Sequence, residues 1–117
     1  MPDPMLVRDN VPEILAADGS TPQVRVLESD EDFRTALIAK LTTETHGLTE
    51  MVAGRRQGDV LSDLAEVLEV LRAIADLEGA TWAQVEHAAT STRFHRGSFH
   101  DRVAVIDLTT PERDRDA

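Results

Sequence analysis

The sequence contains no cysteine, which excludes disulfide bonds and thiolate metal sites and suits a reducing compartment. No apolar run approaches the ~20 residues that a membrane-spanning helix needs. Residues 1–10 are acidic and lack a long apolar core, so we expect no signal peptide there. These absences predict a cytoplasmic protein without a membrane partner.

Positive charge is also scarce, because 12 Lys and Arg stand against 22 Asp and Glu, for a formal net charge of -10. A nucleic-acid polymer binds to a basic surface, so this class of partner is excluded. A phosphate ligand stays compatible, since a divalent cation inverts the field around acidic groups. The 117 residues fit one domain over 1–108, followed by a charged tail over 109–117 that we expect to be disordered.

Two motifs that would point to other chemistry are missing. The sequence has no glycine-rich phosphate loop of the P-loop type. His95 and His100 are not separated by the helical i, i+4 spacing that is typical of zinc ligands, so we expect no zinc site.

Two long helices dominate the predicted fold. The first opens at residues 29–32, of which the last three are acidic, and runs to about residue 53, and the second runs from about 59 to 78. A short helix over 10–15 and a helix after the capping box at 81–84 flank them, while alternating residues predict a minor strand pair at 23–27 and 102–106. We therefore predict an all-α fold built on an antiparallel hairpin. No third helix of equal length covers the apolar faces, so a homodimer or higher homo-oligomer should complete a four-helix bundle.

Acidic side chains fall on the apolar faces of both long helices. At about 100° per residue, Glu44 lies about 20° from Leu37, and Lys40 one turn earlier can pair with it. Asp63 falls inside the apolar arc of the second helix, and Glu66 lies at its edge. The apolar stripes consist of Phe33, Leu37, Leu41, Leu48 and Met51 on the first helix and Leu64, Leu68, Leu71 and Ala75 on the second. Val67, Val70 and Ile74 widen the second stripe on the side where Asp63 falls.

Carboxylates on such faces allow two interpretations. An unpaired buried carboxylate costs several kcal/mol, and a hard divalent cation with oxygen ligands removes that cost. Glu44, Asp63 and Glu66 would then form a metal site. In the alternative, Glu44 pairs with Lys40 and the other two acids reach water at the edge of the bundle.

Several motifs, taken in order, resemble a MazG-like family that is similar to phosphoribosyl-ATP pyrophosphohydrolase. Residues 6–13, LVRDNVPE, are similar to the family's LVRDKIPE. Residues 63–70, DLAEVLEV, and residues 96–99, RGSF, match the family's second acidic helix and its late RGGF. The resemblance covers about residues 5–106, nearly the whole sequence.

This resemblance implies a house-cleaning enzyme that hydrolyses a non-standard nucleoside triphosphate to a monophosphate and pyrophosphate with Mg²⁺ or Mn²⁺. The family uses metal-activated water that attacks between the α and β phosphates. The metal ligands and catalytic residues carried over are Glu44, Asp63 and Glu66. The candidate substrate-binding residues are Arg8, Lys40, Arg93 and Arg96, of which Arg93 and Arg96 belong to a basic cluster near the end of the sequence. Arg93 and Arg96 also suit the dipole at a helix C-terminus, which is their alternative role.

The sequence departs from the family at the positions that hold metal and phosphate. Gly47 stands where the family has a glutamate ligand, and Asn10 and Thr92 stand where it has lysines. Asp63 and Glu66 form the pattern DxxE, whereas the family has ExxD, so the shorter and the longer acid stand in the opposite order. The enzyme would then have weakened activity. The alternatives are a catalytically degenerate nucleotide sensor or scaffold of the same fold, and a purely structural helical partner. Away from the site, we expect Trp82, Phe94 and Phe99 to be packing residues.

Overall fold

The structure, a computed structural model, describes residues 5–109. These residues form α1 (Val11–Ala17), α2 (Asp30–Val52), α3 (Val60–Leu77) and α4 (Trp82–Arg96), and they contain no strand. The all-α prediction is confirmed. The chain divides into two compact units, the first ending at Val85 and the second beginning at Glu86. The predicted tail over 109–117 lies outside the described residues from 110 onward.

Side-chain caps explain where three of the helices begin. The Ser29 hydroxyl accepts the backbone N–H three residues later at 3.1 Å, and the Asp59 carboxylate accepts the N–H two residues later at 3.0 Å. Thr81 and Gln84 form a reciprocal capping box, with bonds of 2.8 and 3.1 Å between side chain and backbone. Each cap satisfies an N–H that the first helical turn leaves without a partner. The helix boundaries are therefore set locally.

Helices α2 and α3 pack against each other and hold the core of the first unit. The buried apolar residues of the described chain are Leu37 on α2 and Val70 and Ala75 on α3, and Leu37 is only 2% exposed. Arg34, near the beginning of α2, donates to Glu78, just past the end of α3, at 2.7 Å. This hydrogen bond and the accompanying charge attraction lower the pKa of Glu78 and raise that of Arg34.

The predicted interior face is confirmed on α2 and partly wrong on α3. On α2, the partly buried residues include Phe33, Leu41 and Glu44, as the helical rotation predicts. On α3, Val70 and Ala75 lie in the core as predicted, whereas the leucines expected there are exposed, at 49%, 39% and 40% for Leu64, Leu68 and Leu71. Apolar residues lie on more than one side of α3, and rotation alone does not tell which side meets α2.

The predicted strand pair is wrong. Residues 23–27 and 102–106 have no regular secondary structure in the described chain, and Arg102 adopts a φ of +59°, which a strand does not allow. A strand needs a partner for its N–H and C=O groups, and alternation in a short segment does not supply one. Phe94 and Phe99 are also not packed as expected, since they are 85% and 97% exposed. None of the described helices is both long and apolar enough to cross a membrane.

Replacing Leu37 with alanine should lower the free energy of unfolding by about 3 kcal/mol, because this side chain fills the contact between α2 and α3. Urea denaturation followed by circular dichroism measures the change. Ile38→Ala is the matched control. The Ile38 side chain is 58% exposed, so its truncation should lower the free energy of unfolding by about 0.5 kcal/mol or less. Equal losses for the two variants would contradict the assigned core.

The Arg34–Glu78 pair should stabilise the fold in a pH-dependent way. Because the pKa of Glu78 is lowered on folding, its contribution is present above the pKa of an unfolded glutamate, and it is lost as the pH falls through the folded value. We expect wild type to exceed Glu78→Gln in Tm at neutral pH. Thermal melts across the acidic range should show this difference shrinking toward zero. A difference that is constant with pH would argue against the pair.

Candidate functional site

Glu44 and Lys40 form an ion pair on the face of α2 that meets α3. Lys40 Nζ lies 3.3 Å from Glu44 Oε1, with the two residues separated by one helical turn. Their side chains are only 20% and 21% exposed, so both charges are partly withdrawn from water. The pair that the sequence predicted as an alternative to metal binding is therefore present.

Asp63 has a cationic partner that the sequence interpretation missed. The guanidinium of Arg56, in the connector between α2 and α3, donates to the Asp63 carboxylate, which is 17% exposed. The same Arg56 nitrogen lies 3.5 Å from the carbonyl oxygen of Gly47 on α2. Arg56 therefore contacts both long helices, and on α2 it does so at Gly47, where the MazG-like family has a glutamate.

Glu66 is paired with a residue from the beginning of the chain. Arg8 Nη2 donates to Glu66 Oε1 at 3.1 Å, and the two side chains are about half exposed. This contact fastens the segment before α1 to the face of α3.

The three acids do not form a metal-ligand cluster. Among residues 5–109, no group of three or more His, Asp or Glu side chains is placed to hold a metal ion. Glu44, Asp63 and Glu66 each face a basic side chain from the same chain. Magnesium prefers several oxygen ligands that are free to face it, so this arrangement does not fit a resident ion.

A cavity of about 560 Å³ lies between the segment before α1 and the face formed by α2 and α3. This volume falls in the range of roughly 300–1,000 Å³ that is typical of small-molecule sites. Its apolar wall includes Phe33, Leu37 and Val70, while Arg8 and Lys40 bring positive charge to it. The cavity therefore combines an apolar surface with two cations, and three acids, Asp9, Glu66 and Glu69, border it.

The other predicted substrate contacts, Arg93 and Arg96, lie in the second unit. Both are exposed in the last turn of α4, where Gly97 follows with a φ of +86°. Neither forms an ion pair with an acid among the described residues. Their position suits the negative end of the helix dipole, which is the alternative role that the sequence offered.

Trp82 packs in the first unit as the sequence predicted. Its ring lies beneath the guanidinium of Arg72, 4.8 Å from the ring centroid, and the residue is partly buried. This cation–π contact connects the beginning of α4 to α3.

Comparison with known proteins leaves the family resemblance a prediction. No family model matches the chain, and no solved structure matches it. A protein described as uncharacterized, from Mycolicibacterium smegmatis (strain ATCC 700084 / mc(2)155), is 51% identical over 39 residues. This match covers 33% of the present chain and 39% of the relative, so the chain spans well under two thirds of the curated relative that it matches.

Proposed function

We propose that this chain is a MazG-like protein that binds a nucleotide as a sensor or scaffold, without metal-dependent hydrolysis. The observation that carries this proposal is the pairing of Glu44, Asp63 and Glu66 with basic side chains of the same chain. Acids that are already neutralised have little need of a metal ion. The family resemblance supports the ligand class, and the departures at Gly47, Asn10 and Thr92 support the loss of chemistry.

The cavity beside α2 and α3 is the nucleotide site in this proposal. A base or sugar would lie against its apolar wall, and phosphate oxygens would accept hydrogen bonds from Arg8 and Lys40. Phosphate must compete with Glu66 and Glu44 for these two cations. Binding should therefore weaken as salt rises, because both partners are charged.

The second candidate is the hydrolase that the resemblance implies, which releases pyrophosphate from a nucleoside triphosphate with Mg²⁺ or Mn²⁺. The partial burial of Glu44 and Asp63 favours it, since their side chains are 21% and 17% exposed and an apolar surrounding strengthens metal–carboxylate attraction. For hydrolysis, these acids would have to exchange their present partners for the ion.

We also propose that α2 and α3 form an antiparallel hairpin that a second copy of this chain completes as a four-helix bundle. Residues of α3 that lie three or four positions apart leave an apolar stripe exposed in the single chain, consisting of Leu61, Leu64, Leu68 and Leu71. Such a stripe can pack against its own symmetry mate, because an isologous interface uses the same patch twice. The resemblance to an oligomeric family supports this partner.

Nucleotide binding and turnover should separate the candidates. Calorimetric titration with a panel of nucleoside triphosphates should show binding, and a pyrophosphate assay with Mg²⁺ or Mn²⁺ should show no release. Lys40→Gln should weaken binding about tenfold, or about 1.4 kcal/mol. Arg55→Gln, in the connector and away from the cavity lining, is the control and should bind as wild type does.

Two outcomes would contradict the sensor proposal. Turnover that Glu44→Gln and Asp63→Asn abolish would establish the hydrolase instead. Absence of both binding and turnover for the whole panel would leave the purely structural helical partner as the remaining candidate.

The proposed dimer predicts a change in mass when charge enters the leucine stripe. Sedimentation equilibrium should give a dimer for wild type and a monomer for Leu64→Lys/Leu68→Lys, because two lysines cannot be buried against their own copies at acceptable cost. Ser62→Lys, on another side of α3, should remain dimeric. A monomeric wild type with unchanged helical circular dichroism would rule the interface out.

A further inference from the structure

Arg56 lies against Gly47, the position at which this sequence has no carboxylate to match the metal ligand expected from the family resemblance. A Cβ atom at Gly47 would lie 3.8 Å from Arg56 Nη2, the nitrogen that also faces the Gly47 carbonyl and the Asp63 carboxylate. From these contacts we infer that Arg56 is a tethered cation that occupies this position and excludes a divalent metal ion from Asp63.

The connector is built to hold Arg56 in this place. Gly58 adopts a φ of +147°, a backbone conformation that L side chains rarely adopt, and the terminal methyl of Met51 lies over it, 2.7 Å from where a Cβ would be. Gly54 adopts a φ of +77° just after α2, which L side chains rarely adopt. These two glycines lie on either side of Arg56 in the seven-residue connector 53–59 that joins α2 to α3.

A guanidinium is well suited to this role. Its Nη2 nitrogen carries two N–H donors and faces two oxygens at once, the Asp63 carboxylate of α3 and the Gly47 carbonyl of α2. It is always charged in proteins, so changes of pH do not remove it. Because the chain tethers it, it also competes with a free ion at a high effective concentration. An incoming divalent ion would have to displace Arg56 and bear its repulsion.

The neighbouring arginine offers a matched comparison within the same connector. Arg55 pairs with Glu50, and its side chain is 63% exposed. Arg56 is less exposed, at 44%, and its acid, Asp63, is among the least exposed acids of the ion pairs. Loss of either arginine removes one positive charge from the connector, but only loss of Arg56 frees an acid of the proposed site.

This inference rests on the pairing of Asp63 that also carries the proposed function, but manganese binding tests it without any nucleotide, so its failure is distinguishable from a failure to bind nucleotide. The free Mn²⁺ signal in electron paramagnetic resonance should be unchanged by wild type and by Arg55→Gln. Arg56→Gln should bind Mn²⁺ at least ten times more tightly than wild type. Its Tm should also rise with Mn²⁺, relative to sodium chloride of equal ionic strength, while that of wild type should not.

Two results would overturn the role of Arg56. One is equal Mn²⁺ binding by wild type and Arg56→Gln, whether both bind or neither does. The other is stoichiometric Mn²⁺ binding by wild type that Asp63→Asn abolishes. This second result needs no Arg56 variant, so it stays informative if Arg56→Gln fails to fold. Circular dichroism of each variant establishes that the helices are intact.

Discussion

Carboxylates on the face between α2 and α3 require positive charge close by, because they are partly shielded from water. Glu44 and Asp63 are the clearest cases, with side chains about one fifth exposed. A charge in such surroundings loses hydration and must regain the free energy from a partner. Here the partner comes from a different part of the chain for each acid, namely the same helix, the connector, and the segment before α1.

These pairs do more than neutralise charge, because two of them join distant parts of the first unit. The contact between Arg8 and Glu66 holds the segment before α1 against α3, which makes it one wall of the cavity. The contacts of Arg56 fasten the connector to both long helices. Removing a basic residue would therefore affect the shape of the site as well as its charge.

The hydrophobic core of the described single chain is small, which is a separate constraint. Few apolar side chains are fully buried, while the leucines along one side of α3 stay in water. A stable helical protein of this size normally buries more apolar surface than this. The proposed association with a second copy would relieve this deficit, and it would leave the cavity beside the segment before α1 on another face.

Contacts between residues close in sequence could be predicted from the sequence. Two of the helix caps, at Ser29 and Thr81, follow from local sequence patterns. The position of Glu44 on the inner face of α2 and its pairing with Lys40 follow from helix geometry, since residues four apart lie one above the other. The overall helix content follows for the same reason.

Contacts between residues far apart in sequence were decided only by the tertiary structure. No periodicity indicates that Arg56 returns to Asp63 and Gly47, or that Arg8 reaches Glu66, because such pairs depend on how the connector turns and on which side of α3 meets α2. The same limit explains the error over the leucines of α3 and the unpaired segments at 23–27 and 102–106. Helix rotation and alternation describe one element at a time, whereas a site depends on where several elements meet.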